Sequence, residues 1–207
     1  MIISRDKGFL FTAIPKTGTH SIRRALRAHL GPNDHEQVRL FVEKHLPYTE
    51  LARLAHGHIT LQQVRPYLGE QNFTKLFKFA FVRNPFDRFI SYCAFMTRHN
   101  DAFARDPNGV MRHYLFTRRP MQHILFSPQH NFVTDEEGRL LTDKLGRVEE
   151  MQSSYDSICA SIGIASTTLD HVNNTNRGHY RIYYDQELID GVADVYQRDL
   201  ELFGYSF

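Results

Sequence analysis

The stretch from Gly8 to Leu30 constrains the fold of this chain more than any other. Its first part, Phe9 to Ile14, is a run of apolar and β-favouring residues that predicts a short buried strand ending at Pro15. Ser21 to Leu30 has the spacing of an amphipathic helix, with its apolar residues on one face. A strand, a short turn and a helix in this order favour an α/β fold.

The turn between strand and helix, Lys16-Thr17-Gly18-Thr19, suits an anion. The first N–H groups of a helix have no intrahelical acceptor, and the helix dipole adds partial positive charge there. Gly18 lets the backbone approach the anion, and Lys16 brings a full charge. The hydroxyls of Thr17, Thr19 and Ser21 add further donors. We therefore predict that a phosphate or a phosphate-like group binds at this turn.

The nucleotide P-loop has the pattern G-x-x-x-x-G-K-[ST], in which the lysine follows the second glycine. Here Lys16 precedes the only glycine of the turn, which disfavours an ATP or GTP site. The segment Pro15-Lys16-Thr17-Gly18-Thr19-His20-Ser21 instead resembles the phosphosulfate loop of the carbohydrate sulfotransferases. These enzymes use 3′-phosphoadenosine 5′-phosphosulfate (PAPS), so the resemblance implies that all seven residues contact it. Taken alone, the residues also fit an ordinary strand-to-helix turn.

A second informative stretch runs from Lys75 to His99. Leu76 to Val82 is almost entirely apolar and predicts a central parallel strand, with Arg83 at its carboxyl end. Asn84 can cap a following helix, and Pro85 fits its first position. Ligands in open α/β sheets collect at the carboxyl ends of strands, so we expect this arginine and the anion-binding turn to line one crevice.

The segment that begins at Arg83, RNPFDRFISY, resembles the sulfotransferase element R-[DN]-P-x-x-R-x-x-S-x-[YF]. The arginine and serine of that element hold the 3′-phosphate of PAPS, which implies this role for Arg83 and Ser91. A guanidinium offers paired donors to phosphate oxygens, and a hydroxyl adds a third. For Arg88 and Tyr92, ligand contact competes with roles as a surface cation and a core aromatic.

His56-Gly57-His58 contains the first candidates for proton chemistry, because an ordinary imidazole pKa lies near 6.5. In extended backbone both rings point to one face. The chain has 12 histidines, so a surface or capping role is the alternative. The segment resembles the His-Gly-His element of the uronyl 2-O-sulfotransferases, whose second histidine acts as base. This implies His58 as the base, with His56 in reserve. No cysteine or carboxylate pattern completes a zinc site.

The remaining segments carry weaker signals. We predict helices over 36–46 and 49–55, a capping box at Thr60, a polar loop over 100–109, helical spacing over 110–126, a hairpin over 131–141, a helix running toward Ile162, and a final helix from Asp185 to Phe203. The C-terminal third resembles bacterial carbohydrate sulfotransferases in several short motifs, the last of which is Asp199-Leu200-Glu201-Leu202-Phe203-Gly204-Tyr205. Arg177 and Gly178 resemble the Arg/Gly loop near the C-terminus of other sulfotransferases, which approaches the 3′-phosphate or adenine of PAPS. An Asn-Arg-Gly turn also forms without any ligand.

Composition limits the remaining choices. A length of 207 residues suits a single domain, 1–207, and a formal charge of +2 is too small for nonspecific nucleic-acid binding. Cys93 and Cys159 are expected to be free thiols in a reducing compartment. No apolar run reaches the roughly 18 residues of a membrane span, and charged residues interrupt the N-terminus where a signal peptide would be apolar. These features predict a cytoplasmic protein.

Together these features predict one P-loop-like α/β domain with a mainly parallel central sheet flanked by helices. The predicted function is a PAPS-dependent sulfotransferase that acts on a hydroxyl of a carbohydrate by in-line transfer. His58 would remove the hydroxyl proton and Lys16 would stabilise the leaving phosphate, with no metal. The alternatives are a P-loop-like kinase or NTPase, and a noncatalytic nucleotide- or glycan-binding protein.

Overall fold

The computed structural model describes residues 1–38, 46–54, 56–170 and 178–207. Five strands occur in these ranges: β1 Ile2–Ser4, β2 Phe9–Thr12, β3 His35–Glu36, β4 Phe77–Val82 and β5 Lys144–Arg147. The α-helices there are α1 Thr19–Arg27, α2 Thr49–Ala52, α3 Leu61–Leu68, α4 Glu70–Lys75, α5 Pro85–Met96, α6 Ala102–Arg105, α7 Pro107–Arg112, α8 Met151–Ile162, α9 Gln186–Val195 and α10 Gln197–Phe203. A π-helix spans His113–Arg118, and short 3-10 helices span His130–Phe132, Val148–Glu150 and Tyr180–Tyr183.

The strands form one sheet in the order β3-β1-β2-β4-β5. β4 lies between β2 and β5 and is parallel to both, with Phe79 opposite Phe11 on one side and Lys144 on the other. β1 is antiparallel to both β2 and β3, so four strands share a direction and one opposes them. The predicted α/β fold with a mainly parallel central sheet is confirmed.

Contacts along the chain group it into two compact units, Met1–Val82 with Asn131–Val172 and Arg83–His130 with Asn173–Phe207. In the first unit, the apolar faces of α1 and α8 pack on the sheet. The buried members of this core are Ile2, Phe9, Phe11, Ala13, Ile22, Leu26, Phe79, Phe81, Tyr155, Ile158, Cys159 and Leu169. Each large side chain buried here stabilises the fold by about 1.5–3 kcal/mol.

The second unit has its own core. It is built from α5, α7, α9 and the residues that follow them, and its fully buried members include Phe86, Phe89, Ile90, Cys93, Phe126, Leu188 and Val192. The prediction of a single domain over 1–207 stays a prediction.

Several local predictions are confirmed. The capping box is present: the Gln63 N–H donates to Thr60 Oγ1, and the Thr60 N–H donates to Gln63 Oε1. Asn84 caps α5 by accepting a hydrogen bond from the Phe86 N–H. Helix α2 is shorter than predicted, and the predicted hairpin contains one antiparallel bridge, between Thr134 and Leu140.

Three predictions were wrong. Glu36 lies in β3 rather than in a helix, and residues 39–45 lie outside the described residues. The segment 100–109 contains α6 and the start of α7, because Asp106 caps α7 by accepting from the Gly109 N–H and Pro107 occupies its first position. The final helix is two helices, since the Tyr196 backbone leaves the helical conformation between α9 and α10.

Candidate functional site

The turn after β2 has an unusual backbone. Gly18, the residue before α1, has φ 70° and ψ 21°, which is the left-handed region. Lys16 also has a positive φ of 66°, which is uncommon for a residue with a side chain. Backbone strain of this kind is concentrated at functional sites. The predicted anion-binding turn is therefore held in a conformation that a plain strand-to-helix connection does not require.

Gly18 has a second reason to lack a side chain. A Cβ atom at this position would overlap the methyl group of Met151, the first residue of α8. The side chain of that methionine thus lies directly against the turn. Any residue larger than glycine must move the methionine as well as adopt the left-handed backbone.

Two of the hydroxyls predicted to contact a ligand bond within the protein. Thr17 Oγ1 donates to the Ile14 carbonyl at 2.9 Å, and Ser21 Oγ donates to the Asp170 carbonyl at 2.7 Å. A hydroxyl has one proton, so each bond removes a donor from the ligand. These side chains hold the shape of the turn, and the first N–H groups of α1 remain its anion-binding donors.

Cations surround the start of α1. The pKa of His20 is lowered, first by removal of water from part of the ring and then by the charges of Arg23, Lys16, Arg27 and Arg24. Arg27 donates twice to Glu36, at 2.6 and 2.9 Å, and Arg24 donates to Asp170 at 2.8 Å. Four cations act on the ring of His20, and this local positive charge favours an anionic ligand.

Arg23, on α1, is the buried cation of this group, with only 4% of its surface exposed. Its Nε and Nη2 atoms are buried and have no hydrogen-bond partner among the described residues. Burial lowers the pKa of Arg23 to about 10, and the charge of Glu36 opposes that shift. The helical spacing of Ser21 to Leu30 places Arg23 off the apolar face, so the sequence contains no signal for its burial.

His58 lies beside the strand that leads into the turn. Its Nδ1 atom is 2.7 Å from the carbonyl oxygen of Ala13. A carbonyl oxygen only accepts, so Nδ1 carries the proton and Nε2 of the neutral ring has a free electron pair. Burial lowers the pKa of His58 to about 3; the Ala13 bond opposes this shift, and the charge of Arg23 adds to it. This imidazole is neutral throughout the physiological pH range.

The rest of the His-Gly-His segment is tightly packed. The rings of His56 and His58 have their centroids 6.1 Å apart. His56 Nδ1 is buried without a hydrogen-bond partner among the described residues, and burial lowers the pKa of this histidine. A Cβ atom at Gly57 would overlap the backbone of Gln37, so only glycine fits between the two histidines.

The predicted 3′-phosphate residues belong to the second unit. The Nε and Nη2 atoms of Arg83 donate to Asp87 Oδ2 at 2.8 and 2.5 Å, and 15% of the arginine side chain is exposed. Ser91 is partly buried on α5. Asp87, in the first turn of α5, thus orients the arginine.

The two uncertain residues of the same motif have structural roles. Arg88 is 1% exposed and donates to the Ser127 carbonyl at 2.6 Å, so it is not a surface cation. Tyr92 is a core aromatic that contacts Tyr114 and Phe126 edge to face. Arg177 lies outside the described residues.

The Sulfotransferase family model matches residues 1–206, so the chain belongs to the sulfotransferase family. Membership makes it an enzyme that transfers a sulfuryl group to a hydroxyl-bearing acceptor. A search of curated proteins and a search of solved structures each found no match.

Within the described ranges, no helix has both the length and the apolar character needed to cross a bilayer. No group of three or more potential metal ligands occurs among the residues that the structure describes.

Proposed function

We propose that this sulfotransferase moves the sulfuryl group of PAPS to a hydroxyl of a carbohydrate, with His58 as the general base. The observation that carries the proposal is the bond between His58 Nδ1 and the Ala13 carbonyl. This bond leaves Nε2 as a proton acceptor and places the ring beside Ala13, three residues before Lys16 in the chain. The choice of a carbohydrate rests on the resemblance of the His-Gly-His segment, and a cytoplasmic location stays a prediction from the sequence.

The anion-binding turn fits the phosphosulfate group. Gly18 presents backbone without a side chain, the N-terminus of α1 follows it, and four cations act on the neighbouring ring of His20. The residues that would hold the donor are Pro15 to Ser21, with the backbone of 17–20 and the Lys16 ammonium as the main contacts. When bound, PAPS would donate its sulfuryl group, and the phosphate to which that group is attached would be the leaving group.

His58 would take the proton of the acceptor hydroxyl on Nε2. An imidazole with a pKa of about 3 is a weak base. A bound anion at the turn would favour the protonated ring and so raise the pKa of His58. General bases contribute about 10²–10⁴ to a rate. Lys16 would stabilise the charge that develops on the leaving phosphate oxygen.

Arg83 and Ser91 are the proposed contacts of the 3′-phosphate, on the strength of the motif they belong to. Asp87 orients the guanidinium of Arg83 through their ion pair. A preoriented guanidinium loses less conformational entropy on binding phosphate.

A thermal-shift titration tests the donor. The desulfated product, 3′-phosphoadenosine 5′-phosphate (PAP), at about 100 times its Kd should stabilise the wild type by roughly 2.7 kcal/mol, a rise of about 5–10 °C in Tm. ATP with Mg²⁺ should give no such rise. Stabilisation by ATP with Mg²⁺ and not by PAP would refute the proposal in favour of a kinase or NTPase.

Transfer from radiolabelled PAPS to a panel of glycans tests the base. His58→Asn should lower turnover at least about 100-fold while the PAP response persists. His99→Asn, which replaces an exposed histidine, is the matched control and should keep full activity. Wild-type activity in His58→Asn would reject the histidine base, and PAP binding without sulfation of any acceptor would favour a noncatalytic binding protein.

A further inference from the structure

The motif at Asp199 contains a fully buried carboxylate in the second unit, at 0% exposure. Its oxygens accept from the Gln129 N–H at 2.7 Å, the His130 N–H at 2.8 Å and the His130 ring Nδ1 at 2.8 Å. Burying a carboxylate is costly unless it is fully hydrogen-bonded. Three donors satisfy that need, and all come from two consecutive residues.

The segment that ends at Gln129 is pinned along its length. The Tyr196 hydroxyl donates to the Phe126 carbonyl at 2.8 Å, and Arg88 donates to the Ser127 carbonyl at 2.6 Å. Three buried side chains therefore hold this irregular segment: Arg88 from α5, Asp199 from α10 and Tyr196 from the junction before α10. Buried side chains with satisfied hydrogen bonds make such a segment rigid.

The fixed segment presents the side chain of Gln129, which is also 0% exposed. Its Nε2 donates to the Arg83 carbonyl at 2.8 Å, and its Oε1 accepts from the Arg83 N–H at 2.9 Å. One amide thus pairs with both backbone groups of one residue, as a neighbouring strand would. Asp87 fixes the guanidinium, so Arg83 is held at its backbone and at its side chain.

We propose that Gln129, anchored by Asp199, is a positioning residue that aims Arg83 at the 3′-phosphate of the donor. The inference rests on the proposed role of Arg83. A backbone shift of the arginine would move its guanidinium, and a displacement of about 1 Å is enough to lose paired donation to phosphate. Removal of the Gln129 amide should therefore weaken recognition of the 3′-phosphate specifically.

The test compares two ligands that differ by that phosphate, PAP and adenosine 5′-phosphate, in calorimetric titrations. Gln129→Met keeps the volume of the side chain and removes both bonds to Arg83. It should bind PAP at least about fivefold more weakly and bind adenosine 5′-phosphate as the wild type does. Asp199→Asn, which removes the charge that anchors the segment, should change the PAP affinity in the same direction. Gln122→Ala, at an exposed glutamine of the same unit, is the control and should leave both affinities unchanged.

Arg83→Ala separates the role of Arg83 at the 3′-phosphate from the role of Gln129 in positioning that arginine. It should cut PAP affinity about 10- to 100-fold, and adding Gln129→Met to it should cause no further loss. If Gln129→Met weakened the binding of both ligands equally, Gln129 would have a purely structural role. If Gln129→Met bound PAP with wild-type affinity while Arg83→Ala did not, the positioning role of Gln129 alone would be overturned. Wild-type PAP affinity in Arg83→Ala would refute the proposed role of that arginine, and the inference with it.

Discussion

The buried neutral state of His58 should couple the stability of the protein to acid pH. In the unfolded chain this histidine has a pKa near 6.5, whereas in the folded protein burial lowers its pKa to about 3. Between these values the unfolded state binds a proton that the folded state does not. The free energy of unfolding must therefore fall as the pH drops below about 6.5.

The size of the effect follows from the two pKa values. Between pH 7.5 and pH 5 the unfolded state gains about 2 kcal/mol from protonation of this one histidine, and the folded state gains almost nothing. This amount is a large fraction of the typical stability of a folded protein, about 5–15 kcal/mol.

Urea unfolding of the wild type and of His58→Asn, at pH 7.5 and pH 5, measures this contribution. The asparagine amide can still donate to the Ala13 carbonyl but does not titrate in this range. The wild type should lose about 2 kcal/mol more than the variant on acidification. His56 and His20 titrate in both proteins and therefore contribute to both losses. The difference in the free energy of unfolding between the two proteins at pH 7.5 reports the change in packing. Equal losses on acidification would show that His58 is not held neutral, and the argument for its Nε2 as base would fall.

Three further predictions concern the turn and its supports. Gly163→Ala should lose about 1–2 kcal/mol because its φ is left-handed, and Gly18→Ala should lose more, because a Cβ there also displaces Met151. Only Gly18→Ala should lose the thermal response to PAP, and equal PAP responses in the two variants would contradict this. Glu36→Gln should lower the free energy of unfolding, measured with urea, by about 2–3 kcal/mol, because Glu36 is the counter-charge of Arg27 and of the buried Arg23. Glu70→Gln breaks an exposed ion pair and should lower it far less. A similar loss in both variants would refute the burial argument. Lys16→Ala should abolish sulfation and weaken PAP binding at low salt, as measured by turnover and calorimetry, and full activity would remove Lys16 from the site.

The elements that the sequence predicted well depend on neighbouring residues. Phe9 to Ile14 predicted β2, and Asn84 with Pro85 predicted the start of α5, because strand periodicity and capping involve residues only a few positions apart. The same local rules failed where a signal was ambiguous. Asp106 and Pro107 served as capping residues of α7 rather than as loop residues, and Lys144–Arg147 forms a strand without any apolar alternation.

The sequence by itself determined the order of the chemical groups: a lysine and a glycine between a strand and a helix, a His-Gly-His segment, and an arginine after a second strand. Only the tertiary structure decided their chemical states. The proton position on His58 depends on Ala13, 45 residues away, and the backbone of Arg83 is held by Gln129, 46 residues away. Burial, protonation and orientation arise from contacts between residues distant in the chain, whereas a motif specifies only which residues are near one another in sequence.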